Sequence, residues 1–148
     1  MPDGTPVQLP PPVAFQMRGP CLQVTINLSA SVAAQLVQQG VAVPAPMSGT
    51  ALIDTGASLT CIDDVAAQRL GLSVIDVVSI ASASHASTQQ NVYATLIEIT
   101  GTAISINADR AIGAALHAQG LIALIGRDVL MMTTIFYNGV TGEFTLSV

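Results

Sequence analysis

Short apolar runs and apolar–polar alternation, the two patterns typical of β-strands, recur along most of this chain. Residues 21–28 alternate over their second half, whereas residues 50–53 and 121–125 are continuously apolar, as buried strands are. Further strands are predicted at residues 74–80, 92–99, 102–107, 133–137 and 143–148. The pattern therefore predicts an all-β fold with two or three short helices.

The first of these helices is predicted over residues 31–40, where the hydrophobic period changes from that of a strand to that of a helix. Ser31 or Ser29 can cap its N-terminus, and Gly40 can end it. The prolines that follow, Pro44 and Pro46, predict a stiff linker into the next strand.

A second helix is predicted over residues 65–70, with Asp63 as its N-cap and Asp64 at the positive end of its dipole. A catalytic role for this acid pair is the alternative, and we prefer capping. A third helix is predicted over residues 110–119. His117 lies late in it, where a cation suits the dipole; we prefer this role to metal binding, since no second ligand shares its spacing.

The first 20 residues are rich in proline, which makes them extended and poorly suited to a helix. Residues 13–15 could add an edge strand, and a mobile tail is the equally weighted alternative. We therefore divide the chain into a proline-rich N-terminal segment, residues 1–20, and one folded domain, residues 21–148.

The strands predicted at residues 74–80 and 92–99 flank a small, polar stretch, residues 81–91, which predicts a long hairpin with a soft loop at its tip. His85 lies in this tip. A surface histidine without a special role is the interpretation we prefer, and a contact with substrate is the alternative.

Composition narrows the classes of function. The chain has 148 residues, enough for one domain, and 51% of them are hydrophobic. Its net charge of −5 and its lack of lysine argue against nucleic acid or an anionic membrane surface as a partner. It has no apolar run of about 20 residues and no signal-peptide pattern, so a cytoplasmic location is expected. Cys21 and Cys61 are interpreted as buried thiols.

The chain's candidate chemistry is concentrated at Asp54, which directly follows the apolar run of residues 51–53. A carboxylate at the end of a buried strand is costly unless it has partners or a function. Thr55 places a hydroxyl beside it, and Gly56 allows a tight turn or a close approach. The sequence thus places an ionisable group on a rigid, half-buried turn, where its pKa can be tuned.

Two motifs carry a resemblance to a known family. Residues 54–58, Asp-Thr-Gly-Ala-Ser, resemble the catalytic signature of aspartic proteases, and residues 124–130, Leu-Ile-Gly-Arg-Asp-Val-Leu, resemble a segment of the retroviral-type (retropepsin) enzymes. Their order and separation resemble a single retropepsin-type domain. The resemblance implies a retropepsin-like acid protease barrel with one lobe per chain and a short helix at residues 127–132. The alanine-rich, lysine-free composition further suggests a bacterial, single-domain member.

Only one Asp-Thr-Gly motif is present, and no Asp-Ser-Gly. Aspartic protease chemistry needs two carboxylates around one water, of which one is ionised and the other protonated. The second carboxylate is therefore expected from a symmetry mate, with Asp54 and its copy on the two-fold axis of a homodimer. The implied activity is that of an aspartic endopeptidase on an extended, largely apolar peptide, with no metal or organic cofactor.

The resemblance also assigns roles around the catalytic turn. Thr55 would lock the two turns of a dimer together, and Gly56 and Ala57 would present backbone groups to the peptide. Ser58, also assigned to substrate binding, stands where many retroviral sequences carry an acid that is available to the arginine of the second motif. The remaining assignments are pocket lining for Ile122, Leu124, Ile80 and Ala81, and structural support for Gly126, Arg127 and Asp128.

Two other interpretations stay open. In the first, the chain is a retropepsin-fold module that dimerises or binds peptides without cleaving them. In the second, Asp54 only caps local backbone amides. The intact Asp-Thr-Gly argues against the first, because a pure binding module has no need of a buried acid.

Overall fold

The computed structural model of the protein describes residues 9–82 and 85–148. Strands dominate them, which confirms the predicted all-β class. The strands are β1 (Cys21–Asn27), β2 (Met47–Ile53), β3 (Cys61–Asp63), β4 (Val74–Ser82), β5 (His85–Ile99), β6 (Ser105–Ala114), β7 (Ala123–Ile125), β8 (Thr134–Asn138) and β9 (Glu143–Ser147). The helices are α1 (Pro11–Arg18), α2 (Ala30–Gln38), α3 (Asp64–Arg69) and α4 (Arg127–Leu130), with a 3₁₀ turn at His117–Gln119.

Strands β1 to β7 form one sheet in the order β1-β2-β7-β3-β6-β5-β4. The sheet closes into a barrel because β1 also pairs with β5, leaving β4 as the outer strand of the β4–β5 hairpin. Closure hides the strand edges of the barrel. The core inside it is built from inward-facing aliphatic side chains and one aromatic, among them Val24, Ile26, Ile53, Ile62, Tyr93, Ile97 and Ile125.

Strand β7 runs between the two strands that flank the Asp54 turn. It is parallel to β2, where Ile53 lies opposite Ile125, and antiparallel to β3, where Cys61 lies opposite Leu124. The chain therefore leaves β2, crosses over the end of β7 and returns on its other side. This crossover brings the two motifs of the sequence together.

The predictions for α2 and α3 are confirmed to within two residues at each end. Ser29 caps α2, because its hydroxyl accepts the N–H of Val32. Asp63 caps α3 as predicted, because its carboxylate accepts the N–H of Ala66.

The predictions for the N-terminal segment were wrong from residue 11 onward. Residues 13–15 form no edge strand but belong to helix α1, in which Pro11 occupies the first helical position. Proline is well tolerated there, because the N–H it lacks would have no partner within the helix. The buried Phe15 packs on Tyr137 and Phe144, with ring centroids 4.5 and 6.1 Å apart, so α1 covers one face of the β8–β9 hairpin.

The prediction of a helix over residues 110–119 was also wrong. Strand β6 continues to Ala114, and the later part forms only the 3₁₀ turn. The physical reason is tertiary pairing: β6 bonds to β5 on one side and to β3 on the other, which outweighs a weak local helix preference. His117 accordingly lies at the start of the turn rather than late in a helix.

Most of the residues predicted as a loop, 81–82 and 85–91, are strand in the structure. β4 extends to Ser82 and β5 starts at His85, and the two pair antiparallel from Val74 opposite Tyr93 to Ser82 opposite His85. Small polar residues can hold a strand when the ladder partner is already in place. The predicted roles for the side chain of His85, like the predictions for residues 83 and 84, lie outside what the structure describes.

Candidate active site

Asp54 follows the last residue of β2 and is half-buried. Its N–H donates to the carbonyl of Ile125 at 2.9 Å, which fixes it to the end of β7. Its Oδ1 accepts the N–H of Gly56 at 2.9 Å, and its carbonyl accepts the N–H of Ala57 at 3.3 Å. The carboxylate is thus held inside a tight turn by its own backbone.

The return strand of this turn is anchored by Asp128. Its two oxygens accept the N–H of Thr60 at 3.0 Å and the hydroxyl of Thr60 at 2.8 Å. The same hydroxyl accepts the N–H of Gly126 at 3.1 Å, and Asp128 also accepts the N–H of Val129 at 3.0 Å. Because Thr60 is fully buried, these bonds are shielded from water and hold the turn in one position.

Gly126 is required by a close backbone approach. A Cβ placed on it would lie 2.5 Å from the carbonyl carbon of Leu59 and 2.9 Å from the nitrogen of Thr60, both backbone atoms that cannot rotate away. The next two residues continue the contact, since the N–H of Arg127 donates to Ala57 and that of Asp128 to Ser58. The turn and the start of α4 are therefore joined backbone to backbone.

Arg127 bonds to the backbone of the turn. An acidic partner is not present at position 58, which is Ser58. The Arg127 guanidinium donates to the carbonyl of Thr55 at 2.8 Å. The structural-support roles predicted for Gly126, Arg127 and Asp128 thus correspond to specific contacts with the turn. Thr55 and Gly56 are exposed at its tip.

A row of half-buried side chains lies beside Asp54. Strand pairing places Leu52 of β2 opposite Leu124 of β7, and Leu124 opposite Cys61 of β3. Leu52 lies two residues before Asp54, on the face of β2 opposite to the buried Ala51 and Ile53. The row Leu52–Leu124–Cys61 therefore forms an apolar floor next to the carboxylate, outside the barrel core.

The Cys61 thiol is not a candidate nucleophile. Burial raises its pKa to about 11, and the negative charges of Asp128 and Asp54 contribute to the rise. A thiol with that pKa stays protonated at neutral pH, whereas the thiolate is the reactive form. Cys21 and Cys61 are both free and only partly buried.

The remaining predicted site residues have separate locations. Ala57 is half-buried and Ser58 is exposed in the turn, while Ile80 and Ala81 are exposed on β4. The pocket-lining role predicted for Ile122 is corrected. Its side chain is 7% exposed and packs in the core against Gly49, so it does not line a pocket.

Sequence reasoning overlooked Thr60, Leu52 and Cys61. A hydroxyl residue between two apolar ones signals Thr60 only weakly, and pairing across β7 was needed to group the other two. Within residues 9–82 and 85–148, no three side chains of His, Cys, Asp or Glu are grouped so as to hold a metal ion. Nor is any helix of these ranges long and apolar enough to cross a membrane.

The chain is similar to solved protein structures and matches one protein-family model. It aligns with the solution structure of the simian foamy virus (mac) protease over 76% of its length and 92% of that protein's, at 17% identity and a TM-score of 0.47. It aligns with the retroviral protease-like domain of Ddi1 from Leishmania major over 79% and 80% of the two chains, at 18% identity and a TM-score of 0.42. No curated protein matches it. The model of the aspartyl protease family matches residues 28–129, a range that contains the first motif and all but the last residue of the second, and the chain therefore belongs to the aspartyl protease family.

Proposed function

We propose that this protein is an aspartic endopeptidase that cleaves an extended, largely apolar peptide, and that its active form is a homodimer. The observation that carries the proposal is the Asp54 turn, in which one half-buried carboxylate is fixed by bonds to β7 and to its own backbone. Such fixation is what a general base needs, because its geometry must be preorganised relative to the water it activates.

The other acids close to Asp54 in the sequence or fold are already occupied. Asp128 accepts bonds from Thr60 and Val129. Asp63 caps α3, and Asp64 accepts the hydroxyl of Tyr93 at 3.0 Å. Each of these carboxylates therefore already has a structural partner, which supports a second Asp54 from another copy as the missing carboxylate.

In the proposed dimer the two Asp54 carboxylates share one proton, because two like charges in contact cannot both ionise. The ionised carboxylate takes a proton from the water as it attacks the scissile carbonyl. The protonated one donates a hydrogen bond to the carbonyl oxygen and then the proton. The floor of Leu52, Leu124 and Cys61 would contact the substrate's apolar side chains beside the cleaved bond.

The test of this proposal is cleavage of a mixed peptide library by the purified full chain across pH 3 to 8. We expect cleavage in the acidic range and its loss as the pH rises and the shared proton dissociates. Asp54→Asn should reduce turnover by at least about a thousand-fold, since the variant has no base. Asp109→Asn, an exposed acid on β6, is the matched control and should keep full activity.

Dilution tests the dimer in the same assay. Specific activity should fall below the dimer dissociation constant as mass action dissociates the copies, and sedimentation should show the mass falling with it. Turnover by Asp54→Asn, or full activity of a monomer, would contradict the proposal. Binding of peptides without cleavage by the folded wild-type dimer would favour the non-cleaving module.

A further inference from the structure

A cavity of about 450 Å³ opens near the apolar floor. Helix α1 and the start of β1 form one wall, β2 forms another, and the loop before β7 closes the third. Its lining residues are Met17, Arg18, Cys21, Thr50, Leu52, Gln119, Gly120 and Leu121. Leu52 belongs to both places, so the cavity continues the floor away from Asp54.

The position of the cavity along β2 sets its distance from the chemistry. Thr50 and Leu52 alternate along β2 and so share a face, and Asp54 follows the last residue of this strand. At a rise of about 3.3 Å per residue, Leu52 lies roughly 7 Å and Thr50 roughly 13 Å from Asp54 along the strand. An extended peptide cleaved at Asp54 would therefore present a side chain two to four residues away to this cavity.

The chemistry of the lining is that of an anion site with an apolar body. Arg18 is its one charged residue, and no acid shares the lining. Arg110 is paired with Asp76, and Arg127 is bonded to Thr55, whereas no carboxylate of the described residues pairs with the exposed Arg18. The positive charge of Arg18 acts on Cys21, another lining residue: burial raises the pKa of the Cys21 thiol, and Arg18 opposes that rise.

We propose that this cavity is a substrate subsite for an acidic side chain, preferably glutamate, two to four residues from the cleaved bond. The Arg18 guanidinium would bind the carboxylate, and Met17, Leu52 and Leu121 would pack on the aliphatic stem. The subsite rests on the proposed protease function, and it adds a charged determinant to an otherwise apolar specificity.

The experiment uses the full chain and pairs of peptides that differ only by Glu or Gln at one position, scanned over four residues on each side of the cleaved bond. We expect one position at which Glu raises kcat/KM about ten-fold or more over Gln, as a charge-assisted hydrogen bond would, mainly through KM. Arg18→Gln should abolish that ratio without changing the rate on the Gln peptide.

Charge reversal distinguishes recognition from a structural effect. Arg18→Glu should prefer Lys over Glu at the same position, which a general loss of folding or activity cannot produce. Arg69→Gln, an exposed arginine in the last turn of α3 and outside the cavity, is the matched control and should keep the Glu preference.

Two results would overturn the subsite: no position with a Glu/Gln ratio above three-fold, or an unchanged ratio in Arg18→Gln. If the wild-type chain cleaves no peptide, the protease proposal fails, and fluorescence anisotropy with the same labelled Glu and Gln peptides then tests the subsite by binding. Glu-selective binding that Arg18→Gln removes would support the subsite alone. Equal affinities, or no binding, would overturn it as well.

Discussion

The turn that carries Asp54 and the outer part of the β4–β5 hairpin, residues 74–82 and 85–91, are held by different kinds of contact. The turn is fixed by side chains 66 to 72 residues distant, namely those of Thr60 on Gly126, Asp128 on Thr60, and Arg127 on Thr55. Side-chain bonds recorded along the hairpin include very local ones, such as that of Gln90 to Thr88 two residues away. The comparison indicates a rigid base for chemistry beside an outer hairpin whose local stability is low, while the inner half of β5 belongs to the barrel core.

Burial follows the same division. Thr60 is fully buried at the base of the turn, whereas Val74, Ile75 and Val77 of β4 are exposed although they are apolar. Exposed apolar side chains on one hairpin are typical of a surface that a ligand covers. By its position in the chain, the hairpin corresponds to the flap that closes over the substrate in the retropepsin family, and that role stays a prediction.

The largest expected effect comes from removing the anchor of the turn. Asp128→Ala leaves the buried N–H and hydroxyl of Thr60 without acceptors, which should lower the free energy of unfolding by about 2–4 kcal/mol. Asp128→Asn keeps one carbonyl oxygen and should cost about half as much. Urea unfolding monitored by circular dichroism measures both.

The matched change in the hairpin is Thr88→Ala, which removes the acceptor of a solvent-exposed hydrogen bond from the Gln90 amide. It should shift the free energy of unfolding by less than about 0.5 kcal/mol, as surface substitutions usually do. Equal costs for Asp128→Ala and Thr88→Ala would contradict the division between a rigid turn and a weakly held hairpin.

A smaller effect is expected at Asp63, which joins β3 to the loop before β7. Its carboxylate accepts the N–H groups of Leu116 and His117 and lies 3.0 Å from Nδ1 of His117. Burial alone would raise its pKa, but hydrogen bonds from His117, Ala66 and Leu116 together hold the pKa below its ordinary value. Ionised Asp63 therefore stabilises the fold above its unfolded pKa, and this is lost as the pH falls through the lower, folded pKa.

Asp63→Asn should accordingly reduce the free energy of unfolding by about 1–3 kcal/mol at pH 6. The difference from wild type should stay constant from pH 5 to 7 and shrink below about pH 4, where the carboxylate becomes protonated in the unfolded chain and then in the folded one. Urea titrations at several pH values provide the measurement. A difference that grows on acidification would reverse the assigned sign.

The smallest effect is expected at the ion pair of the hairpin. Arg110 of β6 lies 2.6 Å from Asp76 of β4, with both side chains about half exposed, and its hydrogen bond is the main cause that lowers the pKa of Asp76. Exposed pairs contribute little because water and salt screen them. Arg110→Gln should leave the urea midpoint unchanged within error at 0.15 M salt, and a shift as large as that of Asp63→Asn would show that the hairpin is held more firmly than its exposure indicates.

Elements with a strong local signal were predictable from the sequence. Ser29 and Asp63 are cap residues at the starts of α2 and α3, and both perform that role. The Asp-Thr-Gly turn follows an apolar run, and the structure has it at the end of β2. Each of these signals lies within a few residues of the element it predicts, so no distant partner is needed to interpret it.

Elements without such a signal were decided by their neighbours. Residues 85–91 and 110–114 carry polar or helix-compatible patterns, yet they are strands because β4, β5 and β3 supply their ladder partners. Pro11 was interpreted as a helix breaker, but it begins α1, whose Phe15 is buried on the β8–β9 hairpin about 120 residues later.

The sequence by itself determined the strand-rich class, the cap residues and the acid that the site is built on, because these depend on residue types and short-range spacing. The tertiary structure alone decided that Asp128 holds Thr60, that Leu52, Leu124 and Cys61 form one floor, and that Arg18 and Leu52 line one cavity. Those contacts join segments far apart in the chain, and only closure of the barrel brings them within bonding distance.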